Sequence, residues 1–188
     1  MNTNAFTQEE ANQFIIECHS DLEAVRTKLV DEPGLATAFN PELNESALGA
    51  AGHMGRPDIA NLLLEHGAAM ELATAAMLGD RDYVRAALEA DPALAASGGA
   101  HNIPVAFHAA MSGDTEIMQM LWDAGAEGPV RGALFFAVWK DQLAVARWLL
   151  ERGASVEGKD PRGRSMLEVA QANGKAEMVA LLKENGAG

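Results

Sequence analysis

The stretch "NLLLEHGAAMELATAAMLGDRDYVRAALEADPAL", Asn61–Leu94, decides the fold class. Three phrases rich in leucine and alanine follow one another in it, separated only by short signals that contain glycine, aspartate or proline. Alanine and leucine are strong helix formers, whereas glycine and proline interrupt helices. The stretch therefore predicts consecutive helices with very little chain between them.

The same pattern recurs along the chain. Five eleven-residue segments superimpose without gaps: Ser46–Arg56, Met70–Asp80, Pro104–Asp114, Gly132–Gln142 and Ser165–Lys175. The sixth position of each is alanine, namely Ala51, Ala75, Ala109, Ala137 and Ala170, and a further segment, Ala11–Asp21, fits with Ile16 in that position. An apolar helix follows each segment. Because one such helix pair cannot bury its apolar face by itself, the pattern predicts stacked helix-turn-helix units.

The second helix of each unit and its glycine-alanine ending resemble those of ankyrin repeats. The phrases that carry the resemblance are "GRPDIANLLLEHGA", "GDTEIMQMLWDAGA", "LAVARWLLERGA" and "GKAEMVALLKENGA". The resemblance implies an all-α fold, an ankyrin-type helical solenoid of about six stacked helix-turn-helix repeats, of a divergent bacterial type. One domain would then cover residues 1–188, with units near 8–35, 44–69, 70–97, 104–127, 132–155 and 165–187.

The connections between units differ in length. Ankyrin repeats project a hairpin finger between units, and the spacing predicts that this finger is shortened after Gly67 and again across 124–132. Long connections remain at 34–46, 95–104 and 155–164. The family's Thr-Pro-Leu-His opening is degraded, and only Ser46 and Ser165 keep a hydroxyl at its first position. Cohesion between units is therefore expected to depend on alanine and leucine packing.

The resemblance implies that a partner binds the concave surface, formed by the fingers and by the exposed side of the first helices. The residues predicted there form what we call the concave stripe: His53, Met54, Met77, Leu78, Met111, Trp139 and Lys140. Methionine adapts to irregular partners, and tryptophan is enriched at interface hot spots. The favoured function is therefore a protein–protein interaction module, a scaffold, adaptor or inhibitor. In the alternative interpretation, shortened fingers let the helices close over these side chains and make them core.

A second hypothesis is a small-molecule-binding protein or an unusual enzyme. Its pocket would be lined by His101, Phe107, His108, Arg131 and Trp139. His108 takes the position filled by Ile15, Phe136 and Val169 in other units, so it is either a core histidine with a hydrogen-bond partner or a group that points into a cavity. A third hypothesis is self-association, either through the concave stripe or through the exposed end of the first unit, which contains "FIIECHS".

No motif specifies a reaction, and the sequence assigns no catalytic residue, metal or cofactor. Cys18 and His19 are adjacent on a helix, about 100° apart, and make a poor nucleophile–base pair. His53 and His66 lie on different helices without an accompanying zinc motif. The loop "GKDPRGR", 158–164, is either an ordinary solvated finger or a place where Arg162 and Arg164 grip a carboxylate or phosphate.

Composition limits the class of partner and the compartment. The formal net charge is −13 and the whole acidic excess lies in residues 1–150, which argues against nucleic acid and anionic membranes. The single cysteine fits a reducing compartment. The N-terminus has no signal-peptide pattern, and no apolar run approaches the roughly 20 residues of a membrane helix. A cytoplasmic protein is expected.

Overall fold

Helices dominate residues 6–160 and 162–188, the part of the chain that the computed structural model describes, and the predicted all-α class is confirmed. The α-helices are α1 (Gln8–Cys18), α2 (Leu22–Asp31), α3 (Ala47–His53), α4 (Pro57–Glu65), α5 (Leu72–Leu78), α6 (Arg81–Ala90), α7 (Val105–Ser112), α8 (Thr115–Asp123), α9 (Glu127–Gly132), α10 (Leu134–Trp139), α11 (Leu143–Glu151), α12 (Met166–Ala172) and α13 (Ala176–Glu184). In this part of the chain, no helix is long and apolar enough to span a membrane.

The three long connections close into short antiparallel pairings. Strands β1 (Phe39–Asn40) and β2 (Glu45–Ser46) form a two-stranded ladder, and single bridges join Gly98 to Pro104 and Lys159 to Ser165. Short 3-10 helices cover Pro33–Thr37, Pro92–Ala96 and Ala100–Asn102. The sequence predicts a shortened finger across 124–132, and the short helix α9 lies in this connection.

The helices pack in chain order in two layers. In one layer α1 contacts α3, which contacts α5, and the contacts continue through α7 and α10 to α12. In the other layer α2 packs on α4, α6 packs on α8, and α8, α11 and α13 follow in order. The C-terminal ends of neighbouring first-layer helices are therefore brought close together.

Small residues allow the close approach of the first-layer helices. The five recurrent alanines are completely buried, with an exposed fraction of 0% at each of Ala51, Ala75, Ala109, Ala137 and Ala170. Gly52 has the same role, since a Cβ atom there would lie 2.5 Å from Thr74 Oγ1 on the next helix. Ile16 is 61% exposed, because α1 stands at the end of the layer and packs on α3. It therefore does not occupy a buried position like those of the alanines.

Polar side chains define where the helices begin. Thr7 and Ser165 each form a capping box with the glutamate three residues later, and Ser46 caps α3. Ser46 Oγ also donates to the carboxylate of Glu71, which precedes α5. The hydroxyl of Ser46 therefore connects two successive helical hairpins. Packing of alanine and leucine is thus supplemented by polar contacts.

Lys140 joins two parts of the layer that are far apart in sequence. Its Nζ donates to the carbonyl oxygens of Met54 at 2.8 Å and Gly55 at 3.0 Å, immediately after α3. These carbonyls lie at the negative end of the helix dipole, where a cation is favourable. The turn needs glycine, because Gly55 has a φ of +59° and a Cβ atom there would lie 2.5 Å from Lys140 Cε. Burial lowers the pKa of Lys140, and the neighbouring Arg56 lowers it further.

We expect Lys140→Met to lower the free energy of unfolding by about 1–2 kcal/mol, because it keeps the apolar stem but leaves two half-buried carbonyls without a donor. Urea denaturation of both proteins measures the difference. Lys183→Met is the matched control, since Lys183 is exposed near the end of α13. Equal losses in both variants would contradict a specific role for Lys140.

Candidate metal centre

Three histidine rings surround one carboxylate oxygen on the side of the first layer that carries the long connections. The Nε2 atoms of His53, His101 and His19 lie 2.9, 3.0 and 3.3 Å from Glu45 Oε1. All four ligand atoms lie within 4.8 Å of one another. The His53 ring packs edge-on against the other two rings, at centroid distances of 4.9 and 5.2 Å. We call these four residues the histidine cluster.

Four separate segments supply the histidine cluster. His19 follows the last residue of α1, and His53 is the last residue of α3, so the packing of α1 on α3 places their rings side by side. Glu45 begins β2 at the base of one long connection, and His101 lies in the 3-10 turn of the next. The cluster therefore forms only when two helices have packed together and two loops have adopted their folded conformations.

The backbone around the two loop residues is unusual. His101 has a φ of 54° and Asn102 a φ of 57°, and Asn44, just before Glu45, has a φ of 50°. Left-handed conformations of non-glycine residues cost of order 1–3 kcal/mol each and often occur at functional sites. The conformation at His101 brings its imidazole to Glu45.

The tautomer of His19 can be read from its hydrogen bonds. Its Nδ1 lies 2.9 Å from the carbonyl oxygen of Ile15 and 3.2 Å from that of Ile16, and carbonyl oxygens only accept, so Nδ1 carries a hydrogen. In the neutral ring, Nε2 is then an acceptor. It faces an ionised carboxylate oxygen, which also only accepts. The two atoms need a positive species between them, either a proton on the ring or a metal ion.

Glu45 is ionised and almost wholly enclosed, with 1% of the residue exposed. Burial by itself favours the neutral acid, but the hydrogen bonds from His19 and His53 and the charges of His19 and His101 outweigh it and lower the pKa of Glu45 to about 2. The hydrogen bond to Glu45 in turn raises the pKa of His19. The cluster thus concentrates one buried negative charge where three imidazoles converge.

The spacing of the ligand atoms is close to that of a metal site. In tetrahedral zinc sites, metal–nitrogen and metal–oxygen distances near 2.0–2.2 Å set neighbouring ligand atoms roughly 3.3–3.4 Å apart. The Nε2 atoms lie 2.9–3.3 Å from Glu45 Oε1, close to this spacing, and all four ligand atoms lie within 4.8 Å of one another. The Nδ1–H of His19, held by backbone carbonyls, is the outer contact that orients a ligating histidine in many metal sites.

A pocket of about 310 Å³ lies beside the histidine cluster and shares His53 with it. Its wall is mostly apolar, and Asp160 and Arg164, from the connection 155–164, contribute charged groups to it. Met54 and Trp139, two members of the predicted concave stripe, contribute to this wall.

The structure does not bring the rest of the concave stripe to the surface as one exposed face. Met77 and Met111 are buried, each 5% exposed, and Leu78 is half-buried. Gln142 Nε2 donates to the Met111 carbonyl at 2.8 Å, and the side chains of Met77 and Met111 belong to one core cluster. The interpretation in which neighbouring helices close over these side chains therefore holds for Met77 and Met111.

The residues of the alternative pocket predicted around His108 are divided among four places. His101 joins the histidine cluster, and Phe107 stacks on Phe136 of the adjoining pocket with a centroid distance of 4.7 Å. Arg131 lies elsewhere, over the ring of Trp122 at 5.4 Å. His108 is a core residue, 1% exposed, and its Nδ1 lies 3.1 Å from the Pro104 carbonyl.

Sequence reasoning missed His19 and Glu45 as site residues and predicted no metal ligand. One signal was available, because His19 and His53 both stand at the ends of first helices in successive units, although the aligned segments place His19 opposite Met54, one position after His53. Neighbouring units place such positions side by side. The contributions of Glu45 and His101 depend on loop conformations that no spacing rule supplies.

No protein-family model matches the chain, and a search of curated proteins found no significant match. The function is therefore inferred from the geometry of the histidine cluster and its surroundings.

Burial lowers the pKa of His108 to about 4 from its ordinary 6.5, an effect that the charge of His53 increases and the Pro104 hydrogen bond partly offsets. The unfolded chain takes up a proton near pH 6.5 that the folded protein excludes, so this group's stabilising contribution is lost as the pH falls from 6.5 towards 4. When the pH falls from 7.5 to 5, we expect the free energy of unfolding of His108→Leu to decrease by about 2 kcal/mol less than that of wild type. Urea denaturation at both pH values measures this difference.

His66→Gln provides the comparison, because His66 is exposed on the other layer. Parallel loss of stability in His108→Leu and wild type would show that His108 is not the group responsible.

Proposed function

We propose that this protein binds one divalent transition-metal ion through His19, Glu45, His53 and His101. The observation that carries the proposal is the convergence of three Nε2 atoms on a single buried carboxylate oxygen. A carboxylate oxygen has two lone pairs, so Glu45 Oε1 cannot fully accept hydrogen bonds from three rings. In its neutral form, the His19 ring presents an acceptor to this oxygen instead of a donor. A metal ion at the centre satisfies all four side chains at once.

The ligand set favours particular metals. Three imidazole nitrogens and one carboxylate oxygen suit Zn²⁺, Fe²⁺, Co²⁺ and Ni²⁺, whereas Mg²⁺ and Ca²⁺ prefer oxygen ligands throughout. Four such ligands favour Zn²⁺ among these, because zinc sites in proteins are most often four-coordinate. Co²⁺ adopts similar sites and reports its coordination through visible absorption, which makes it the useful probe.

Metal binding would be coupled to the packing of the N-terminal part of the chain. The ligands come from α1, from the end of α3 and from two successive long connections, so one ion would cross-link segments from residue 19 to residue 101. A ligand that binds only the folded state stabilises it by about 2.7 kcal/mol at a free concentration 100 times its Kd. In a chain of this size that corresponds to a rise of roughly 5–10 °C in Tm.

The fold that supports this site is proposed to be an ankyrin-type solenoid of six units in a cytoplasmic protein. The order of helix contacts and the repeated buried alanines support the fold, and the single cysteine supports the compartment. The protein-binding role of the concave stripe remains a second proposal. It is favoured by the half-buried Trp139 and Met54 and weakened by the burial of Met77 and Met111.

The test begins with protein freed of metal by a chelator and dialysed. We expect calorimetry with Zn²⁺ to give one site per chain, and Co²⁺ to produce the intense visible absorption of a tetrahedral centre. Glu45→Gln and His53→Gln should each weaken Zn²⁺ binding by at least about 100-fold, because each removes a ligand rather than an outer contact.

His66→Gln is the matched control. The Nδ1 of His66 lies 2.8 Å from the Leu62 carbonyl, as the Nδ1 of His19 lies 2.9 Å from Ile15, but His66 is outside the cluster. This variant should bind Zn²⁺ like wild type. Failure of the folded wild-type protein to bind one ion, or equal losses in His66→Gln and His53→Gln, would refute the proposal.

A further inference from the structure

The pocket beside the histidine cluster is lined by five parts of the chain, of which the connection 95–104 and α12 contribute Ile103 and Val169. The end of α3 supplies His53 and Met54, α10 supplies an aromatic wall, and the connection 155–164 supplies its polar end. Its volume of about 310 Å³ is at the lower end of the range of small-molecule sites, which are concave and mostly apolar with a few fixed polar groups.

The aromatic wall is held in place by its own contacts. Phe136 packs edge-on against Trp139 and Phe135 at centroid distances of 6.4 and 5.7 Å, and Phe107 stacks behind it at 4.7 Å. Lys140 Nζ lies 4.3 Å from the centroid of Trp139 while donating to the backbone after α3. A preformed wall of three rings suits a flat aromatic molecule, which binds it by stacking or edge contacts.

The polar end of the pocket presents a fixed guanidinium. Asp160 Oδ1 accepts the backbone N–H groups of Arg162 and Arg164 at 2.9 and 2.8 Å, and Asp160 Oδ2 accepts Arg164 Nε at 2.8 Å. These contacts occupy one edge of the Arg164 side chain. Among the described residues, its two terminal nitrogens have no hydrogen bond or ion pair to a protein acceptor.

We infer that the pocket binds a small aromatic carboxylate. Its ring lies against Phe135, Phe136 and Trp139, and its carboxylate accepts from the terminal nitrogens of Arg164. The opposite edge of the ring then faces His53 and the histidine cluster. This inference goes beyond metal binding, since it shares only His53 with the proposed metal site and does not require the ion.

The charges near the pocket favour a carboxylate over other anions and over cations. Arg164 offers two parallel donors, the pattern that matches a carboxylate. The adjacent Asp160 already offsets much of its charge, so a phosphate dianion would remain uncompensated. Lys140 and Arg164 both disfavour a cationic ligand at this wall.

Asp160 is a positioning residue in this arrangement. It holds the guanidinium by its Nε edge and the loop by two backbone N–H groups, so Arg164 need not be ordered by the ligand. Preorganised donors bind more tightly than mobile ones because less side-chain freedom is lost on binding.

The probe is naphthalene-2-carboxylate, compared with the neutral naphthalene-2-carboxamide of the same shape. Calorimetry on the metal-free wild-type protein should show the carboxylate binding at least about tenfold more tightly than the amide. Arg164→Gln should abolish that preference by weakening the carboxylate alone. Arg162→Gln is the matched control from the same loop, because Arg162 does not line the pocket, and it should keep the preference.

A second measurement checks the aromatic wall. Tryptophan fluorescence should be quenched when the carboxylate binds wild type, and Trp139→Phe should lose that quenching although Trp122 and Trp148 remain. The same titrations are then repeated with the Zn²⁺-treated protein. Carboxylate binding to metal-free protein that depends on Arg164 supports the inference even where Zn²⁺ binding itself fails.

Three outcomes would overturn the inference. The first is the absence of carboxylate binding to either metal-free or Zn²⁺-treated protein. The second is equal affinity for the acid and the amide. The third is binding that appears only with Zn²⁺ and is unchanged in Arg164→Gln, which would place the carboxylate on the metal and leave metal binding itself supported.

Discussion

The close contact between neighbouring first-layer helices is the constraint on which the rest of the structure depends. Completely buried alanines and the close approach at Gly52 let these helices lie side by side in chain order. Their C-terminal ends therefore meet, and any residue type repeated at those ends becomes a local cluster. Histidine at the ends of α1 and α3 is one such case, and the long connections add Glu45 and His101 to it.

The histidine cluster and the adjoining pocket illustrate how an apolar scaffold accommodates charge. A buried carboxylate is costly unless it is paired and hydrogen-bonded, and Glu45 is surrounded by three potential partners. In the pocket, the cost of placing charge beside apolar groups is reduced in another way, because Asp160 and Arg164 pair with each other next to the aromatic wall. The two features adjoin at His53, so an ion and an organic ligand would occupy neighbouring parts of one surface.

The sequence predicted the parts of the fold that follow from repetition. Leucine, alanine and glycine at regular spacing indicated the helices, and the five recurrent alanines are all buried. The same pattern left open whether the ends of the first helices are exposed or covered, and Met77 and Met111 are covered. Both belong to a core cluster against which Phe136 and Trp139 of a distant hairpin pack, a contact that no local pattern encodes.

The candidate site was less accessible to sequence reasoning because it depends on loop conformation. His101 reaches Glu45 through a left-handed backbone, a conformation that the spacing of the repeats does not indicate. The apolar environment of His108 was visible in the sequence as a histidine in an otherwise apolar position, but choosing between core and cavity required the surrounding atoms.

Lys140 has a mechanical consequence. When stacked helix pairs contact only their neighbours, a small rotation at each interface can change the curvature of the whole stack. The side chain of Lys140 connects the end of α10 to the end of α3, although other helices lie between these two in the layer. Moving α10 away from α3 therefore requires the loss of both hydrogen bonds, so bending of the layer between these helices is coupled to the release of one lysine from two carbonyl groups.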